Sequence, residues 1–196
     1  MQRSGASRRV REMVVFAMLA TMMFVSKLAM ELLPNMHLIG VLTVIYTVVY
    51  RKRALIPIYL YVLMNGIYAG FSMWWVPYTY IWTILWGVVM LLPRRMSERT
   101  ARIVYPVVCS LHGFLYGTLY APAQALMFGL DFRGMLAWIA AGIPFDVIHG
   151  ISNLAVGMLI LPLTKLLSRL EGNGYSINKS PKGAENGNQD LQNSEN

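Results

Sequence analysis

The sequence predicts an all-α integral membrane protein, a bundle of six transmembrane helices with both termini in the cytoplasm. Long apolar stretches alternate with short connectors. Hydrophobic residues make up 56% of the 196-residue chain and charged residues only 13%, against ~25% charged in a typical soluble domain. Of the 17 Lys and Arg residues, all but Lys27 and Arg133 lie before the first apolar run, in every second connector or after the last run. Short cytoplasmic connectors are enriched in Lys and Arg, so this alternation requires an even number of crossings. Six fits.

The elements follow in order. Residues 1–11, with Arg3, Arg8, Arg9 and Arg11, form a basic cytoplasmic lead, and residues 12–168 form the membrane domain. The first span is expected from about Glu12 to Leu33, stopped by Pro34, and is read as uncleaved because no small-residue cleavage site follows it. The second, from about His37 to Tyr50, covers only ~20 Å of a ~30 Å hydrocarbon core, so its neighbours must shield it. Arg51, Lys52 and Arg53 follow. The third runs from about Ala54 to Phe71 and the fourth from about Pro77 to Leu92, before Arg94, Arg95, Arg99 and Arg102. The fifth, Ile103 to about Gly129, is long enough to be tilted or broken near Pro106 and Pro122. The sixth runs from about Met135 to Leu167, with a kink expected at Pro144. Residues 169–196 are rich in Gly, Asn, Ser, Lys and Glu and are expected to form a disordered cytoplasmic tail.

The formal net charge of +8 does not indicate nucleic acid, because the basic residues are divided among connectors rather than gathered in one stripe. They fit positive-inside topology and contact with anionic lipid. The single cysteine, Cys109, lies in an apolar run. It excludes an intrachain disulfide and reads as packing.

Small residues recur four apart in three spans: Ala17 and Thr21, Gly66 and Gly70, Gly113 and Gly117. That spacing lets helix backbones approach closely in lipid. The two glycine pairs are read as packing within the bundle. Ala17 and Thr21, near the cytoplasmic end, are read as a docking face for another protein.

Polar side chains are costly in a membrane and usually face a cavity or a partner. Here they converge on the outer half. Asn65 and Tyr68 lie high on the third span, Trp82 on the fourth, His112 and Tyr116 on the fifth, and Asp146, His149 and Asn153 on one face of the sixth. Lys27 and Glu31, four apart, are expected to neutralise one another, and Trp74 and Trp75 to anchor the interface. Asp146 and His149 are open to two readings, a structural hydrogen-bonded pair or ligand contacts. The whole set is expected to form an outward-facing pocket with aromatic walls and a few orienting polar groups.

No HExxH, GxSxG, GxxxxGK or Cys/His metal spacing is present. No cofactor, metal site or enzymatic activity is expected.

The layout resembles the substrate-binding S components of energy-coupling factor (ECF) transporters. The likeness lies in six spans within about residues 10–168, a first span reading FAMLAT (Phe16 to Thr21) and a last span reading GIPFDVIHGISNLAVGMLILPL (Gly142 to Leu163). It implies a bacterial-type plasma-membrane protein that captures a water-soluble vitamin or related heterocycle from outside. It also implies a transmembrane coupling subunit and two cytoplasmic ATPase subunits as partners, with ATP hydrolysed in the latter. Members often dock through an Ala-xxx-Ala signature in the first span. This chain has Ala17 and Thr21 there, with Ala20 as a further docking candidate. Metal-carrying members use N-terminal histidines, and no histidine precedes His37. Two other readings stay open: a membrane hydrolase or transferase using Asp146 and His149, and a tryptophan-rich translocator-type ligand-binding protein.

Overall fold

A computed structural model describes residues 5–31, 37–94 and 96–172, and every regular element in them is helical. The helices are α1 (Gly5–Ala29), α2 (Ile39–Tyr50), α3 (Leu55–Ala69), α4 (Tyr78–Leu91), α5 (Glu98–Phe114), α6 (Tyr116–Phe128), α7 (Phe132–Gly157) and α8 (Ile160–Leu170). Short 3-10 turns at Arg51–Ala54 and Met73–Trp75 join α2 to α3 and α3 to α4. Three helical runs are long and apolar enough to cross a membrane: Arg9–Ala29, Glu98–Phe128 (α5 with α6) and Phe132–Gly157.

The helix at the centre is α2. Ile39 through Thr47 are all buried, as expected of a helix that is apolar all round. It packs against α1, α4, α5, α7 and α8. Thr47 Oγ1 donates to Thr43 O at 2.6 Å and Tyr46 OH reaches Leu19 O of α1 at 3.2 Å, whereas the buried Thr43 Oγ1 has no hydrogen-bond partner. The shielding expected for so short a segment is therefore supplied by five neighbouring helices.

The tightest seam joins α5 to α7, where glycines let the backbones meet. A Cβ added at Gly113 would lie 3.0 Å from Gly150 Cα, and one at Gly157 would lie 2.9 Å from Pro106 Cα. Ser110 Oγ donates to Gly150 O at 2.8 Å and Asn153 Nδ2 to Cys109 O at 3.2 Å across the same seam. Gly70 behaves differently from its partner Gly66. It has φ +89° with open space around it, so it ends α3 rather than packing a helix face.

Helix ends follow ordinary capping chemistry. Ser97 Oγ accepts Thr100 N–H at 3.1 Å to start α5, and Asp131 Oδ1 accepts Gly134 N–H at 2.7 Å to start α7. The interruptions fall elsewhere than the prolines suggested. Pro106 and Pro122 lie inside α5 and α6, and the long run breaks at Leu115 instead. Likewise α7 passes Pro144 without interruption and stops at Gly157, where Met158 and Leu159 make tighter three-residue bonds before α8. α8 reaches Leu170, slightly into the segment read as tail, and residues 173–196 and the expected stop at Pro34 lie outside the described residues.

One end of the bundle gathers most of the ion pairs. Arg53 meets Glu12 at 2.6 Å, Arg11 meets Glu171 at 3.9 Å, and Glu98 meets Lys165 at 2.6 Å and Arg102 at 3.2 Å. Arg51 donates to Met90 O at 3.0 Å, and Trp86 Nε1 to Arg51 O at 3.1 Å. The start of α1, the α2–α3 turn, the end of α4, the start of α5 and the later part of α8 thus share that end. Large apolar side chains face outward along the sides, among them Met13 (71% exposed) and Leu126 (86%), the surface expected for contact with lipid.

Candidate functional site

At the end remote from the charges, α4, α6 and α7 enclose a cavity of about 470 Å3, within the ~300–1,000 Å3 usual for small-molecule sites. Helical spacing explains its walls. On α4, Tyr78 and Trp82 are one turn apart. On α6, Tyr116, Tyr120 and Gln124 rise turn by turn. On α7, Trp138, Gly142, Phe145, Asp146 and His149 form one stripe. Tyr61 of α3, Gly117 of α6, Ile39 of α2 and His37, just before α2, also line it. Tyr78 precedes Met90 by twelve residues on one helix, which sets the cavity ~18 Å from the charged end.

The aromatic rings form a continuous cage. Trp82 lies 6.0 Å from Tyr78 and 6.1 Å from Tyr116, ring centre to ring centre. Tyr116 is 4.9 Å from His149, which faces His37 at 6.0 Å. Tyr120 and Trp138 stack at 5.7 Å with only 17° between planes. Two bonds fix the wall to its surroundings: Tyr120 OH donates to Trp74 O at 2.8 Å, and Tyr80 OH to Leu119 O at 2.8 Å. Trp75 is similarly tied, its Nε1 donating to Val62 O at 2.8 Å.

Asp146 owes its position to the break at Leu115. A new helix start leaves backbone N–H groups without carbonyl partners, and the Asp146 carboxylate accepts Gly117 N–H at 2.9 and 3.0 Å. Gly117 must lack a side chain, because a Cβ there would sit 2.5 Å from Asp146 Oδ2. Of the two readings of Asp146 and His149, the structural pair is not what forms: Asp146 caps α6 while His149 turns to Tyr116 and His37.

Of the predicted ligand contacts, Trp82, Tyr116, Asp146 and His149 line the cavity. His112 stands behind that wall, 5.7 Å from Trp82 and 6.2 Å from Tyr116, with Nε2 3.2 Å from Ile81 O. Asn153 lies in the α5–α7 seam, and Asn65 is completely buried one turn beyond Tyr61. Tyr68 does not belong to this group. It is 61% exposed and sets its ring edge-on to Phe24 at 5.4 Å. Among the buried atoms without a hydrogen-bond partner within the protein, Trp82 Nε1 belongs to the cavity wall, while His112 Nδ1, Asn153 Oδ1 and both amide atoms of Asn65 belong to residues outside the lining. Such atoms are rare in folded proteins, and a site that takes a ligand is one recognised reason for them.

The sequence reading left Tyr61, Trp138 and Phe145 out of the convergent set. The stripe on α7 was the available signal, since Trp138, Gly142, Phe145 and His149 repeat at helical intervals. Lys27 does not line the cavity; it pairs with Glu31 at 2.9 Å, as its spacing implied. Among the described residues no three His, Cys, Asp or Glu side chains converge as a metal site would require.

On the first helix, Ala17 and Thr21 are exposed, with Thr21 Oγ1 donating to Ala17 O at 2.9 Å. Ala20 is not part of that face. It is buried, 1% exposed, against the core, because it lies ~60° round the helix from Ala17 on the side away from Thr21, and that side faces the bundle interior.

Compared with protein-family models, with curated proteins and with solved structures, the chain matches none.

Proposed function

We propose that this chain is a six-span plasma-membrane protein with both termini in the cytoplasm, and that it is the substrate-binding component of an ECF-type importer. It captures a flat, water-soluble, vitamin-like heterocycle from outside and delivers it with a transmembrane coupling subunit and two ATPase subunits. The observation that carries this reading is the aromatic cavity at the end of the bundle opposite the basic connectors. By the positive-inside rule the basic end is cytoplasmic, so the cavity belongs to the external half. Six passes follow when α5 with α6, and α7 with α8, each count as one. The short helices α2, α3 and α4, of 12, 15 and 14 residues, cross with their flanking turns and the cover of longer neighbours.

Orientation is tested with single cysteines at Ser72 and Ser97, in a background in which Cys109 is replaced by alanine. An impermeant thiol reagent applied to intact cells is expected to label position 72 and not position 97. The reverse pattern contradicts the topology.

Docking is tested on α1. Ala17→Trp is expected to abolish co-purification with the coupling subunit, because a bulky ring prevents close backbone approach on an exposed small-residue face. Solute binding should be unchanged, since Ala17 does not line the cavity. Normal co-purification of that variant sinks the docking assignment.

A further inference from the structure

Charge inside the cavity points to one class of occupant, given the reading of the cavity as a solute site. We propose that it selects a flat monocationic nitrogen ring and discriminates against carboxylate analogues of the same shape. Asp146 is the formal charge among the lining residues, and no Lys or Arg lines the cavity. The nearby Lys27 is already paired with Glu31. Asp146 is held in place by one backbone N–H, while a carboxylate offers about four acceptor directions, so lone pairs remain for a ligand. The start of α6 contributes roughly half a positive charge beside it, and the end of α5 at the same break contributes roughly the opposite. The full negative charge of the carboxylate therefore dominates the field.

The walls reinforce that sign. Aromatic faces carry negative potential and attract cations, tryptophan most strongly. Trp82, Tyr116, Tyr78 and the stacked Tyr120–Trp138 pair surround the same space as Asp146. A cationic ring gains from the faces and from the carboxylate together. A neutral ring of the same shape keeps only stacking, and an anion meets repulsion from both. In its neutral form an imidazole supplies one donor and one acceptor, so His37 and His149 can each hold a ring substituent.

The test uses three rings of nearly equal shape: the methylpyridinium cation of nicotinamide, nicotinamide itself and nicotinate. Each is titrated by intrinsic tryptophan fluorescence into the full chain in lipid nanodiscs, up to ~10 mM, where Kd values near 1 mM are readable. The cation is expected to bind saturably and about tenfold more tightly than nicotinamide, a gain within the range of a cation–π contact, with nicotinate weakest. Asp146→Asn keeps an acceptor for Gly117 N–H while removing the charge. It should cut the preference for the cation to about threefold or less, the part the aromatic faces supply, and leave nicotinamide binding within about threefold. Nicotinate binding as tightly as the cation, or an Asp146→Asn variant that keeps the full tenfold preference, overturns the charge assignment while saturable nicotinamide binding leaves the solute site standing. Saturation by none of the three overturns the solute site and the charge assignment together.

Discussion

Gly113→Val is expected to lower the thermal midpoint of the detergent-solubilised protein by roughly 2–12 °C. Overpacking a well-filled contact costs about 1–3 kcal/mol, and each kcal/mol moves the midpoint by about 2–4 °C in a protein of this size. The site is unusually unforgiving. A Cβ at Gly113 would meet Asn153 Nδ2 at 2.8 Å and the Gly150 Cα and N at 3.0 Å. Backbone atoms cannot rotate aside, so α5 and α7 must separate. That separation would strain the Ser110–Gly150 and Asn153–Cys109 bonds in the same seam. Gly87→Ala serves as the control, because nothing lies within 4 Å of a Cβ there and the glycine sits inside α4. Alanine at a compatible helical position typically adds about 0.4–1 kcal/mol, so its midpoint should hold or rise. Equal midpoints for the two variants would show that the glycine seam is not what joins these helices.

Trp82 variants are expected to produce the largest change in binding. Its ring is buried at 4% exposure, lines the cavity and touches Tyr78, His112 and Tyr116. Its Nε1 has no partner within the protein. Trp82→Phe retains an aromatic face but loses the N–H donor, and leaving a ligand acceptor unpaired costs about 1–3 kcal/mol, or roughly one to two decades in Kd. Trp82→Ala removes the face as well and should weaken binding by ~100-fold or more. The alanine variant also opens a void, for which buried aromatic truncations cost about 3–5 kcal/mol of stability, so the phenylalanine variant is the cleaner probe. Titration with the solute eluted from the parent protein measures both. A Trp82→Phe variant that binds as tightly as the parent removes Nε1 from the recognition set.

Much of the helical layout was legible because apolar length and the placement of Lys and Arg are one-dimensional properties. The α1–α4 segments fall close to the expected runs for that reason. The breaks were not legible. Prolines 106, 122 and 144 all sit inside helices, whereas the interruptions at Leu115 and Met158 carry no such marker. The Leu115 break becomes intelligible only once Asp146 is seen capping the next helix from across the seam. Depth along each span placed polar residues at one level, but depth says nothing of direction round the helix. Tyr68 shares the level of Asn65 yet points outward, while Asn65 points in. Ala20 failed as a docking residue through the same missing angle. Trp138 and Phe145 were overlooked because aromatic residues in a membrane helix have a ready explanation as lipid-facing groups, and only the stripe they share with His149 marks them as cavity wall.

The central claim is that the cavity holds a small solute between its aromatic walls. Native mass spectrometry of the full chain, released gently from detergent after purification from rich medium, reads that occupancy directly. The parent is expected to carry a non-covalent adduct of one small molecule per chain, and a folded Trp82→Phe/His149→Ala double variant is expected to lose it. An adduct retained undiminished by the double variant, or a parent that stays bare after incubation with a concentrated extract of the same medium, contradicts the claim.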